Sequence, residues 1–279
     1  MGYPYRVYSP ALDAYVEISK PVERVVSLHP GVTETLFMMG LGHKVVATDA
    51  FSYRPLEAKK LPKIGSYTHV KWEALEELKP DIIFTTTGAQ KELTKALIEK
   101  GYKVYPVPVP ITVHDIITGV VVVGTVMGEF ESATALEHGL VDTINKLTKV
   151  TRKVKVYVEF DLGGPIAPGF PTHISDAIRL LGGVNIFDDN PTAYFEPNPD
   201  DVKKRSPDIV IVEPKRLVEH EVARLKDSLI ARGLEEFVES NRVVFTQGDF
   251  LAHTGPSFIT EAMPWLANVL SNAGKSHNQ

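Results

Sequence analysis

The sequence predicts an α/β protein of two lobes, each built on a parallel sheet, with a helical connector between them. Three observations carry this. Short β-branched runs alternate with helical patterns from Glu23 to Lys103, the alternation stops between about Thr112 and Leu147, and it resumes after Thr151. Strands separated by helices of about ten residues require right-handed crossovers and a parallel sheet. The third observation is an internal echo: WEALEELKPDIIF in the first half matches PDDVKKRSPDIVIV in the second. The acids Glu73 and Asp200, and the prolines Pro80 and Pro207, each lie 127 positions apart (73 to 200, 80 to 207). Two similar lobes facing each other across a cleft are the expected consequence.

In chain order, ERVVSL reads as a strand, VTETLFMM as a helix closed by Gly40, and KVVAT as the next strand. WEALEEL is an amphipathic helix that must stop before Pro80, whose ring excludes the helical conformation at the preceding residue. DIIFTT is a strand, QKELTKALIEK a helix closed by Gly101, and KVYPV a strand. VHDIITGVVVVGTVMG has a valine run, but its length and lack of a turn signal make it a buried helix. EFESATALEHGLVDTINKL is a second helix. Then come the strand KVKVYVEF, a Gly/Pro-rich loop, the helix SDAIRLLGG, the short strand NIF, the helix DDVKKR and the strand DIVIVE. EVARLKDSLIARG is a helix, RVVFTQ a strand, and a last helix runs from near Ser257 to Leu270.

Composition narrows the function. The 279 residues hold 30 Lys and Arg against 35 Asp and Glu, a net charge of −5, which argues against a nucleic-acid partner. The absence of Cys removes thiol catalysis, Cys-ligated zinc and iron–sulfur clusters. No apolar run is long enough to span a membrane. The opening MGYPYRVYSP lacks a charged stretch followed by an apolar one, so no leader or anchor is expected in it.

Catalytic signatures fail one by one. Gly40-Leu41-Gly42 lacks the third glycine of a dinucleotide loop, and Ala273-Gly274-Lys275-Ser276 lacks the first glycine of a phosphate loop. His220-Glu221 has no second His four residues on, and Gly255-Pro256-Ser257 is no nucleophile elbow. No enzyme activity is expected. What recurs instead is aromatic and polar residues at the carboxyl ends of the strands, where open α/β sheets bind ligands. These are His29, Pro30, Tyr67 and Thr87 in the first lobe, and Phe160, Tyr194, Phe195, Asp249, Phe250 and His253 in the second. Rings in loops beside a few His and Asp suit a large flat ligand with polar edges. Each has a plainer alternative: His29 as a helix cap, Asp249 as a turn acid, and the two tyrosines as covers of their own lobes.

The stretches Glu23–Leu28, Thr33-Glu34-Thr35-Leu36, Leu61–Gly65, Trp72-Glu73-Ala74-Leu75 and Leu78–Ile83 resemble the opening of the class III periplasmic binding proteins. Leu181–Phe187 and Arg205-Ser206-Pro207-Asp208 are similar to that family's second-lobe signatures. These proteins serve ABC importers of cobalamin, ferric siderophores and haem. The resemblance implies two doubly wound lobes, 1–111 and 129–279, joined by a single long helix over 112–128, with the ligand cleft between them. It implies an extracytoplasmic monomer that needs no cofactor and carries a corrinoid or ferric chelate, haem less so. The partner it implies is an ABC permease dimer with its ATPase subunits, whose arginines would meet Glu73 and Asp200. The family usually has Glu at the second position, so Asp200 is a departure with a shorter reach. Two other readings compete: a bare metal ion held by His29, Tyr67 and His253, and a chelatase-like enzyme of the same architecture.

Overall fold

A computed structural model describes residues 2–275; Ser276, the end of the AGKS tail, lies outside them. The chain divides into two compact units. One comprises Met1–Pro110, His114–Asp142 and Thr254–Ser257, the other Ile111–Val113, Thr143–His253 and Phe258–Gln279.

The first unit opens with an antiparallel hairpin, β1 (Tyr5–Ser9) and β2 (Ala14–Ile18), for which the sequence reading assigned no element. Its inward residues Tyr5, Val16 and Ile18 are buried, and the Tyr5 hydroxyl donates to the Val126 carbonyl at 3.0 Å. There follow β3 (Val25–Ser27), α1 (Pro30–Met38), β4 (Val45–Asp49), β5 (Lys63–Gly65), α2 (Trp72–Leu78), β6 (Ile82–Thr86), α3 (Lys91–Glu99) and β7 (Val104–Val107). The strands form a wholly parallel sheet in the order β5-β4-β3-β6-β7, so the chain winds outward in both directions from β3. Such strands are buried on both faces and read as continuous apolar runs, as Val25, Val26, Ile82, Ile83 and Phe84 do.

Two consecutive helices follow, α4 (Val113–Met127) and α5 (Phe130–Lys146). The valine run is helical, with Val120, Val123 and Val126 buried. At the turn between these helices the backbones approach closely: a Cβ on Gly124 would stand 2.2 Å from the Ala133 Cβ. Gly124→Ala is therefore expected to cost about 1–3 kcal/mol, read as a lower urea midpoint at unchanged slope.

The second unit holds β8 (Lys155–Asp161), β9 (Pro165–Pro168), α6 (His173–Leu180), β10 (Val184–Asn185), β11 (Tyr194–Phe195) and α7 (Pro199–Arg205). After these come β12 (Ile209–Glu213), α8 (Glu219–Ala231), α9 (Glu235–Glu239), β13 (Val243–Phe245) and α10 (Met263–Lys275). Its core strands β10, β8, β12 and β13 are parallel, but β9 and β11 add antiparallel pairings. The second sheet is thus mixed, where the sequence suggested a parallel sheet and a loop after β8. Gly163, at φ 101, turns the chain back in a tight hairpin, and Pro165 and Pro168 sit in the short return strand. The last helix begins with a wide turn over Phe258–Ala262. No helix among the described residues is long and apolar enough to cross a membrane.

Candidate ligand-binding site

In the first unit the candidate residues sit at the carboxyl edge of the sheet. His29 follows β3, is 7% exposed, and is the N-cap of α1: its Nδ1 accepts the Val32 N–H at 3.2 Å. Pro30 is the first helical residue, where its missing N–H costs nothing. A Cβ on Gly31 would meet the Thr254 carbonyl oxygen at 2.8 Å, so only glycine lets that segment lie against the helix start. Glu34, buried in the same helix, accepts the Ser257 N–H at 3.0 Å.

Tyr67, on the loop after β5, is 45% exposed, and its ring lies 4.9 Å from that of Phe51 at 32°. Phe51 is placed by Asp49, the last residue of β4, which is buried and accepts the Phe51 N–H at 3.2 Å and the Ser52 hydroxyl. Burial raises the Asp49 carboxyl above its ordinary range, against the bonds from Ser52 and Phe51 and the nearby Lys63. Thr87 accepts the Val109 N–H at 3.0 Å. It also lines a cavity of about 420 Å³ with Leu12, Lys91 and Ile98, a set that includes neither Tyr67 nor His29.

In the second unit Phe160, near the end of β8, is 2% exposed and meets the Tyr194 ring edge-on at 6.3 Å. Tyr194 itself is 46% exposed. Phe195, the next residue of β11, packs edge-on against Phe187 at 5.1 Å as part of the core. Asp249, Phe250 and His253 lie on the loop after β13; the Phe250 ring meets Trp265 edge-on at 5.8 Å, and His253 is buried. Charged groups that sequence reading did not single out as site residues also stand here. Glu213, which ends β12, is buried and accepts the Leu251 and Ala252 N–H groups at 2.5 and 2.9 Å. Glu159 receives both arms of the Arg232 guanidinium at 2.6 and 2.9 Å, and the Tyr157 hydroxyl as well. Asp161 pairs with Arg224 at 2.5 Å. A signal was present: Asp49, Asp161 and Glu213 are each the acid that ends a largely buried strand.

Glu73 and Asp200 are exposed, each in the first turn of its helix. The echo between their segments extends to three dimensions within each unit. Both helices stop at a left-handed residue, Lys79 at φ 44 and Ser206 at φ 50. Arg24 Nε donates to the Leu78 carbonyl at 2.8 Å, as Lys155 Nζ does to that of Arg205 at 3.1 Å. Asp81 accepts the Arg24 N–H at 2.9 Å, as Asp208 accepts that of Lys155 at 2.8 Å. Among the described residues no three His, Asp or Glu side chains gather in a way that would hold a metal ion.

The periplasmic binding protein family profile matches residues 25–249. A vitamin B12-binding protein of Vibrio vulnificus is 41% identical over 87 residues, 30% of this chain and 32% of that relative. The chain thus spans about a third of the length of that relative. Among solved structures, the periplasmic vitamin B12 binding protein of Vibrio cholerae aligns with a TM-score of 0.72 at 23% identity, over 91% of this chain and 99% of that one. An ABC-type Fe3+-hydroxamate transport system from Saccharomonospora viridis aligns with a TM-score of 0.77 at 16% identity, over 96% and 99%. These two likenesses concern the fold.

Proposed function

The chain belongs to the periplasmic binding protein family, and from that premise we propose that it is an extracytoplasmic carrier delivering a corrinoid, or else a ferric chelate, to an ABC importer. One observation carries the ligand class. Each unit presents a half-exposed tyrosine in contact with a phenylalanine: Tyr67 with Phe51, and Tyr194 with Phe160 near the carboxyl end of β8. A ring already packed against another gives up little side-chain entropy when a flat macrocycle stacks on it. Phe250 and His253 add apolar and polar edge contacts, while His29 caps α1. Capture itself does no chemistry: the ligand favours the conformation that the permease recognises, and so shifts its population.

The reading is tested by titrating the purified protein with cyanocobalamin and following Tyr and Trp emission. Saturable quenching at micromolar or lower concentration is expected. Tyr67→Ala and Tyr194→Ala should each weaken it by about 5- to 20-fold, roughly 1–2 kcal/mol for a lost stacking face. Absence of any saturable change would reject the corrinoid and move the assignment to ferric siderophores, with haem behind them.

A further inference from the structure

Glu213 is 4% exposed at the carboxyl end of β12, and three donors of one loop converge on it. Its Oε2 accepts the Leu251 N–H at 2.5 Å and the Thr246 hydroxyl at 3.1 Å, and its Oε1 accepts the Ala252 N–H at 2.9 Å. From α6, His173 Nε2 donates to the Leu251 carbonyl at 3.0 Å, so Leu251 is gripped at both its amide and its carbonyl. Asp249 and Phe250 stand on the span that these bonds close, and His253 follows it. We propose that Glu213 is a positioning residue: its ionised carboxylate builds the loop Thr246–His253, and its protonation releases that loop and weakens ligand capture. The effect on capture rests on reading this loop as ligand-facing; the effect on the loop does not.

The chemistry follows from counting donors. An ionised carboxylate only accepts, which suits two amides and a hydroxyl. A proton on Oε1 would point at the Ala252 N–H, donor against donor. A protonated Oε2 can donate to the Thr246 oxygen, since that hydroxyl can turn its own proton to the Gly248 carbonyl at 2.9 Å. The Leu251 amide is then left facing a protonated oxygen. Either form loses part of the clamp.

The titration falls in an accessible range. Burial, with a smaller push from Asp249, raises Glu213 to about 7 against the pull of its three hydrogen bonds. The other groups near the loop are His173, lowered by burial to about 4 and so neutral above that, and His253 beside it. Lys215 lies two residues past Glu213. The sign of the global effect is opposite to the local one. Between the ordinary Glu value and about 7, the folded chain holds a proton that the unfolded chain has lost. Stability contributed by this group therefore falls as pH rises through that window, while the loop tightens.

Amide hydrogen exchange on the ligand-free protein separates these effects. Protection factors at Leu251 and Ala252 are expected to drop by about tenfold as pH falls from about 8 to about 5.5, while amides of β8 and β12 keep or gain protection. Asp249→Asn should move the midpoint to lower pH, and Glu213→Gln should give low protection with no midpoint. Protection that is flat with pH in the unsubstituted protein overturns the proposal, whatever the folding of the variants. A midpoint that survives Glu213→Gln, or one that Asp249→Asn leaves in place, assigns the titration elsewhere and overturns it too. Cyanocobalamin affinity measured over the same range should weaken towards low pH. A normal protection profile without saturable cobalamin binding overturns the corrinoid reading alone; saturable binding with a flat profile overturns the Glu213 proposal alone.

Discussion

Replacing Glu73 and Asp200 together by alanine is expected to leave ligand affinity unchanged and to abolish stimulation of the importer's ATPase. Both carboxylates are exposed, and neither belongs to the set of rings and loops proposed to hold the ligand. Exposure means that the lost side chains cost little stability, since surface substitutions away from special features fall within about 0.5 kcal/mol. Docking is different, because truncating one partner of a desolvated Arg–carboxylate pair costs about 2 kcal/mol or more. Two such losses would weaken the complex by about a thousandfold. Asp200 also has a competing partner on its own helix, Lys203 at 3.4 Å, and one methylene less than a glutamate. Asp200→Glu is accordingly expected to match or exceed the parent in ATPase stimulation. The assay is ATP hydrolysis by the cognate importer in proteoliposomes, with a ligand titration of the same preparation. Lost ligand binding in the double variant, or undiminished stimulation, would sink the docking assignment.

Arg232→Ala should be the most destabilising of the charge removals, by about 3–5 kcal/mol. The guanidinium meets Glu159 through two nitrogens, and the Glu159 side chain is only 4% exposed. Removing the cation leaves a carboxylate enclosed by β8 with the Tyr157 hydroxyl as its remaining hydrogen-bond donor among those described. A domain's whole stability is about 5–15 kcal/mol, so the variant would unfold well below the parent's urea midpoint. The pair itself is not the source of the loss. Glu159→Gln combined with Arg232→Met should recover most of it, because a neutral amide and an apolar chain of similar length need no counter-ion. If Arg232→Ala unfolds within about 1 kcal/mol of the parent, the buried-pair argument fails.

The parallel core of both units was legible because period and punctuation agreed. Val25-Val26, Ile82-Ile83 and Ile209–Val212 are β-branched runs bounded by Pro80, Pro207 and helix-closing glycines, and each became a strand in a parallel ladder. The N-terminal hairpin escaped because its strands alternate Tyr and Val with Arg and Glu, and the turn Pro10–Asp13 carries no Asn-Gly or Asp-Gly. The return strand β9 escaped because prolines mask strand character. At the candidate site, sequence position alone put Tyr67 and Tyr194 in the loop regions near strand ends and Glu73 and Asp200 in the first turns of their helices. The partners that decide geometry were not, since Glu213 and Leu251, or Glu159 and Arg232, are 38 and 73 residues apart. His29 shows the limit of residue type alone: the same ring that would suit a ligand edge accepts the Val32 N–H in this fold.

The seven-residue helices α2 and α7 stop at the same kind of left-handed residue and are tied at that end to the central strand of their own sheet. A helix of that length rises about 10 Å. The acid in its first turn therefore stands at a set height above a fixed base, in the manner of a gauge pin. Whatever thermal play the surrounding loops have, the backbones that carry the two acids inherit the stiffness of the sheets. A receptor touching them would measure the position of the sheets themselves, with no slack to take up first.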